Sequence, residues 1–165
     1  MFDFGLAKEL KEKDMVAPGM YKLTGMTGSR RYMAPEVIQS KDYGLSADVY
    51  GYSILFWEVM SNRNAYNYLN LEKHYEMVVT RRKRPNLKQM VPKKLLPMDS
   101  NLHTLVKECW AHKPQDRPSI QKVCEVLFGE ITTAQQEQKA AMDRSKHLQA
   151  DSLRSRLGDG EPLWC

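Results

Sequence analysis

The stretch SADVYGYSILFWEVMS, residues 46 to 61, decides the fold class of this chain. Ser46 is a residue type that caps helix N-termini, and Asp48 suits the first turn, where the helix dipole favours an acid. Apolar or aromatic side chains then fall on nearly every face, which is typical of a helix at the centre of a domain. The apolar run is too short to cross a bilayer and contains Glu58, so we predict a buried central helix.

Three further helices are predicted downstream. The stretch NLEKHYEMVVT, residues 70 to 80, forms one, which the basic cluster RRKR and Pro85 end. Apolar residues at helical spacing predict another over residues 102 to 111. A last helix begins after Ser119, a suitable cap, and we expect Gly129 to close it. Strands are hard to find, so the expected fold is mainly α, with one core that ends at residue 129.

Residues 130 to 165 differ in composition from the rest of the chain. They are polar and rich in Gln and Ala, which predicts a solvated helix as far as about residue 150 and disorder after it. Leu148, Leu153 and Leu157 are too few for a coiled-coil seam, although partner binding stays open as an alternative. We therefore expect a polar C-terminal extension, separate from the domain.

Residues 3 to 36 form a long segment without a helical or strand pattern. The stretch APGM predicts a Pro-Gly turn, and a loop rich in Gly, Thr and Ser follows it. Loops of this length inside a compact domain are usually functional. Simple disorder is the alternative, but Tyr21, Leu23, Met26, Tyr32 and Met33 argue against it, because disordered tracts contain few large apolar groups.

The overall composition indicates an intracellular globular protein. The net charge is +5, and part of it lies in the cluster at residues 81 to 84. A nucleic-acid surface is the alternative reading of that cluster, but no stacking aromatics interleave the charges, so we expect a solvated loop and no nucleic-acid partner. Cys109, Cys124 and Cys165 show no metal spacing and are expected to be reduced, the first two as small buried apolar groups. We expect a cytoplasmic location and no membrane segment in this chain.

Four stretches carry a joint signal. They are DFGLAK near the start, GSRRYMAPE about thirty residues later, SADVYGYSILFWE after that, and CWAHKPQDRPS far downstream. In this order the chain resembles, from about residue 2 to residue 128, the C-terminal lobe of a eukaryotic-type protein kinase. It is most similar to the tyrosine-kinase-like group, whose members are mostly specific for Ser and Thr. The resemblance implies a partial kinase domain over residues 1 to 129, with an activation segment at 3 to 36 and a helical lobe at 37 to 129.

The resemblance assigns roles to residues of the activation segment. Asp3 matches the aspartate that binds Mg²⁺ and, through it, ATP. Phosphate on Thr24 or Thr27, or less readily on Tyr21, would order the loop on basic groups after modification by an upstream kinase. Ser29 matches the small hydroxyl of the substrate-facing loop, which favours a Ser or Thr in a protein substrate, although the group includes dual-specificity members.

The resemblance also implies two structural contacts. Glu36 and Arg117 match an ion pair between the Ala-Pro-Glu motif and the loop before the last helix, in which a guanidinium holds a carboxylate through two parallel hydrogen bonds. Asp48 matches the helix aspartate that braces the catalytic loop by accepting backbone N–H bonds. Two independent surface charges are the alternative for the first pair.

Several parts of a kinase domain are absent from the sequence. It contains no Gly-rich phosphate loop, no strand lysine, no His-Arg-Asp catalytic loop and no Asn for a second Mg²⁺. We therefore expect a fragment of an α+β parent domain, inactive alone, with exposed apolar surface and no tight binding of ATP or Mg²⁺. A membrane span upstream is left open. The alternative is a non-catalytic, kinase-like module that binds kinase partners or substrates.

Overall fold

The computed structural model describes residues 5–26, 28–67, 69–90 and 101–157, with the side chains of 101–157 described as far as residue 153. The chain divides into two compact units, residues 1 to 126 and residues 127 to 165. The described residues are mainly helical, which confirms the predicted fold class at that level.

Helix α2, Ser46–Ser61, is the central helix of the first unit. It buries Tyr50, Ile54 and Trp57, and it ends at Asn62, whose left-handed backbone (φ 51°) closes the last turn. Two predictions about α2 were wrong. Leu45, not Ser46, precedes the helix, and no side chain caps it. The helix is buried on one face only, not all round, because Leu55 is 50% and Val59 70% exposed. These two side chains form part of the exposed apolar surface that the sequence analysis expected.

Shorter helices pack around α2. They are α1, Pro35–Ile38; α3, Leu71–Tyr75, which continues as a π-helical turn over Glu76–Thr80; and α4, Asn101–Cys109. The core joins α2 to these elements through side chains that include Val37, Ile54, Val78, Val106 and Trp110. Short 3₁₀ turns at Leu87–Gln89 and Pro114–Asp116 connect them.

The N-terminal segment contains a small hairpin. Strands β1, Met15–Ala17, and β2, Met20–Tyr21, are antiparallel and flank the predicted Pro18-Gly19 turn. Gly19 has φ +69°, which glycine adopts without strain. This hairpin corrects the expectation of a segment without strands. A Cβ at Gly44 would collide with the Gly19 carbonyl oxygen, so the hairpin lies directly against the loop before α2.

Helix α5, Ile120–Leu157, begins after Ser119, whose Oγ accepts from the Lys122 N–H at 3.2 Å, as predicted. The prediction that Gly129 closes it was wrong, because the helix continues to Leu157. One glycine costs a helix only about 1 kcal/mol, and good helix formers surround this one. The helix belongs to the first unit as far as Val126 and to the second from Leu127.

The two described cysteines differ in burial. Cys109 is buried, as predicted, and burial raises the pKa of its thiol to about 12. Cys124 is exposed, like its neighbour Glu125 on α5, so its predicted burial was wrong. No described helix is both long and apolar enough to cross a membrane.

Candidate functional site: the Glu36–Arg117 pair and its surroundings

Glu36 and Arg117, which are 81 positions apart, meet in the interior of the first unit. The Arg117 Nη1 and Nη2 donate to the two Glu36 carboxylate oxygens at 2.6 and 2.8 Å. The Arg117 side chain has 0% exposure and that of Glu36 7%. The two charges therefore form a buried, bidentate pair, and the alternative of two independent surface charges is excluded.

Arg117 also binds three backbone carbonyls. Its Nη1 donates to Ser46 O at 3.0 Å, its Nε to Ala111 O at 2.9 Å and its Nη2 to His112 O at 3.3 Å. Together with the two bonds to Glu36, these contacts occupy all five N–H donors of a guanidinium. One side chain thus ties α1, the start of α2 and the end of the α4 segment to the loop before α5.

Two guanidinium groups lie over the ring of Tyr50. The Arg117 and Arg84 Cζ atoms are each 5.1 Å from its centroid, within the range of cation–π attraction. Arg84 donates to the carbonyls of Trp110, Val78 and Lys83 at 2.8 to 3.1 Å. The basic cluster is therefore partly structural: Arg84 braces the core, and Arg81 pairs with the exposed Glu76.

Glu58 holds the Arg30–Tyr32 turn against α2, a contact that the sequence analysis did not predict. Its carboxylate accepts from the Tyr32 hydroxyl and the Ala65 N–H, both at 2.6 Å, and from Arg31 Nη1 at 3.2 Å. The hydrogen bond to Glu58 raises the pKa of Tyr32, and burial adds to that shift. A lone acid within the apolar run of α2 was the available signal, because a mostly buried carboxylate needs donors.

Ser29 and Asp48 line one open cavity of about 410 Å³ between the N-terminal segment and α2. Ser29 is exposed beside the Arg30–Tyr32 turn. Asp48 is also exposed, but apolar neighbours remove enough solvent to raise the pKa of its carboxyl. No described residue donates a hydrogen bond to the Asp48 carboxylate, so its role as a brace stays a prediction.

The predicted phosphorylation sites differ in accessibility. Tyr21 is buried, and its N–H and C=O both bond the backbone of Tyr43, at 3.0 and 3.1 Å. The Tyr43 hydroxyl donates to the carbonyl of Thr24 at 2.8 Å, while the Thr24 side chain is exposed. Thr27 lies outside the described residues. The backbone and the hydroxyl of Tyr43, in the loop before α2, therefore hold the segment in place from Tyr21 to Thr24.

Asp3, the expected ligand of Mg²⁺, lies outside the described residues. Within the described parts of the chain no three His, Cys, Asp or Glu side chains cluster as metal ligands do. A single carboxylate has the hard oxygen chemistry that Mg²⁺ prefers, but Mg²⁺ usually needs phosphate oxygens and water as well.

Comparison with known proteins gives a consistent result. Residues 1–127 match the family described as "Protein tyrosine and serine/threonine kinase". The chain is 35% identical over 125 residues to the dual specificity protein kinase shkB of Dictyostelium discoideum, which covers 73% of the chain and 17% of the relative. It is 34% identical over 125 residues to the serine/threonine-protein kinase STY17 of Arabidopsis thaliana, and this match covers 76% of the chain and 20% of the relative. The chain thus spans a fifth or less of the length of these relatives.

Proposed function

Because the chain belongs to the protein tyrosine and serine/threonine kinase family, we propose that it supplies the substrate-facing part of a protein kinase of the tyrosine-kinase-like group. The parent enzyme transfers the γ-phosphate of ATP to Ser or Thr of a protein substrate. The observation that carries the proposal is the buried Glu36–Arg117 pair, which fixes the end of the activation segment to the helical lobe.

The anchors of the substrate-facing loop support a role in binding the substrate. Glu36 holds the C-terminal end of the loop through Arg117, and Glu58 holds its middle through Tyr32. Ser29 precedes the Arg30–Tyr32 turn and, like Asp48, lines the cavity. A loop held at two points presents its backbone in one geometry, which lowers the entropic cost of aligning a peptide. Relatives named as Ser/Thr and as dual-specificity kinases favour Ser or Thr as acceptor and leave room for Tyr.

Asp3 is our candidate ligand for Mg²⁺, with ATP as the second substrate. When bound, the metal bridges and neutralises phosphate oxygens. The chain contributes one carboxylate, that of Asp3, two positions before Gly5 in the sequence. One carboxylate holds neither Mg²⁺ nor ATP tightly, so the chain alone is expected to bind both weakly.

Thr24 is the favoured regulatory position among the described candidates, because its side chain is exposed and Tyr21 is buried. A phosphate there adds about −1.5 to −2 charges and three acceptor oxygens to a segment that also carries Lys22. An upstream kinase would supply it. A cytoplasmic location belongs to the same proposal, since it suits reduced thiols and an ATP-dependent reaction.

The alternative function is a non-catalytic module that binds kinase partners or substrates. The absence of a His-Arg-Asp segment from the sequence favours it for the chain alone, since no carboxylate would then accept the proton of the substrate hydroxyl. Intact Asp3, Ser29, Glu36, Asp48 and Arg117 favour the catalytic parent. The transcript upstream of the Met1 codon separates the two: an in-frame His-Arg-Asp segment supports the parent kinase, and a stop codon supports the module.

The direct test is phosphate transfer. The purified chain of 165 residues, given Mg-ATP and a generic protein substrate, is expected to show no turnover. Turnover that disappears in Asp3→Asn would contradict inactivity of the chain alone. For any in-frame longer product, we expect transfer to Ser or Thr that Asp3→Asn abolishes and the exposed control Asp14→Asn retains. A longer product without transfer, or one equally active with Asp3→Asn, would overturn the catalytic proposal.

A further inference from the structure

The described residues of the second unit form a helix whose side chains are mostly exposed to solvent. Every residue of α5 from Ile131 to Leu153 is exposed to solvent. An isolated helix in water is only marginally stable even when its residues are good helix formers, as many are here. Such a helix gains most from a partner that covers one of its faces.

One face of this helix is apolar. Phe128, Ile131, Met142 and Leu153 are each at least half exposed. At about 100° per residue they fall within an arc of about 60°. Ile131, Met142 and Leu153 recur every 11 residues, a period close to three helical turns, so the face stays aligned along the helix. The polar residues within this arc are Gln135, Lys146 and Gln149. The two amides can hydrogen-bond across an interface, and the stem of Lys146 can lie along it while the ammonium stays in water.

The charges of the helix divide along its length. Residues 127 to 138 contain Glu130 and Glu137 and no Lys or Arg. Residues 139 to 157 contain five Lys and Arg residues against Asp143 and Asp151. Two such helices side by side in parallel would place like charges together. In the antiparallel arrangement the acidic half of each lies beside the basic half of the other, which favours association and selects the orientation.

We propose that residues 127 to 157 pair with the same segment of a second copy of this chain, antiparallel, through the apolar face of Phe128, Ile131, Met142 and Leu153. A two-fold axis level with Met142 places Ile131 of each copy beside Leu153 of the other and brings the two Met142 side chains together. The face is narrow and is interrupted by two Gln and by Lys146, so the dimer is weak. Salt screens the charge pairing, so added salt weakens the dimer further.

Sedimentation of the full chain over a range of concentrations tests the pairing. A reversible monomer–dimer equilibrium is expected, with a dissociation constant that rises with salt. Met142→Glu should raise that constant about tenfold or more, because it places a charge in the interface. Ala140→Glu is the matched control, since it adds the same charge on the opposite face, and it should change the constant less than about threefold.

The orientation needs a second measurement. In a Cys124→Ser, Cys165→Ser background, a spin label at Asp151→Cys reports the distance between the two copies. Residue 151 is nine positions from the axis, so at a rise of about 1.5 Å per residue the antiparallel pair puts the labels about 30 Å apart, and a parallel pair about 20 Å or less. A chain that stays monomeric, a dimer that Met142→Glu does not weaken, equal effects of the two Glu variants, or the short distance would each overturn the proposal.

Discussion

Removal of the Arg117 guanidinium tests how much the buried Glu36–Arg117 pair contributes to the stability of the first unit. In Arg117→Met the Glu36 carboxylate stays buried without its partner, and three backbone carbonyls lose a donor. Stranding one charge of a buried pair typically costs about 3–5 kcal/mol. Small domains have about 5–15 kcal/mol in total, so the variant should lie close to unfolding. Arg117→Lys keeps the charge but offers three donors in place of five, and it should lose an intermediate amount.

Arg81→Met is the matched control for this substitution. Arg81 and Glu76 are also 2.6 Å apart, but their side chains are 60% and 48% exposed. Exposed pairs of this kind contribute below about 1 kcal/mol. The distance is thus equal in the two pairs and the burial differs.

Urea denaturation followed by tryptophan fluorescence measures both variants, since Trp57 and Trp110 are buried. With a slope of about 2 kcal/mol per molar, a loss of about 4 kcal/mol lowers the midpoint by about 2 M. The Arg81→Met midpoint should fall by less than about 0.5 M on the same slope. If the two variants lose stability equally, the argument that burial gives the Glu36–Arg117 contact its strength is refuted.

Three further predictions concern other groups of the first unit. Tyr32→Phe removes the 2.6 Å bond to Glu58 and should cost about 1–3 kcal/mol, whereas Tyr75→Phe, at an exposed position, should cost almost nothing; equal costs in urea denaturation would contradict the role of Glu58. Burial lowers the pKa of His74, whose two ring nitrogens form no hydrogen bond with a described residue. Burial and nearby arginines lower the pKa of His112. The folded state therefore takes up fewer protons than the unfolded state, so stability is full above pH of about 6.5 and falls as the pH drops below it. His74→Leu should flatten that fall, and an unchanged pH profile would refute the assignment. The raised pKa of Cys109, about 12, together with its burial predicts that a thiol reagent labels Cys124 in the native state and Cys109 only on unfolding; native labelling of Cys109 in Cys124→Ser, Cys165→Ser would contradict this.

The contact between two residues of the matched motifs could be predicted from the sequence. Contacts of residues outside those motifs could not. Apolar spacing predicted α2 and α4, and the motif resemblance predicted that Glu36 and Arg117 meet. No local pattern links Glu58 to Tyr32 or Arg84 to Tyr50, because these pairs form only after distant segments have packed. Local propensity also misplaced helix boundaries: Ser46 lies inside α2, and Gly129 is tolerated inside α5 because the residues around it favour a helix.

The resemblance predicted the contact between Glu36 and Arg117 but not the local structure of the N-terminal segment. The sequence showed the Pro18-Gly19 turn but not that Tyr21 pairs with Tyr43, because that pairing depends on a loop more than twenty residues away. The apolar pattern of α2 indicated burial on all faces, whereas Leu55 and Val59 are exposed. Periodicity reports which side chains are apolar, and only the packed structure shows which of them are covered.

The most direct measurement of the central claim, that the Ala-Pro-Glu segment and the loop before α5 meet in one lobe, is NMR of the arginine side chains in the full chain. The five hydrogen bonds of Arg117 predict separate, exchange-protected signals for its Nε–H and Nη–H protons, while Arg81 gives the averaged signals of an exposed guanidinium. Averaged, rapidly exchanging signals from Arg117 would place its guanidinium in water and contradict the account.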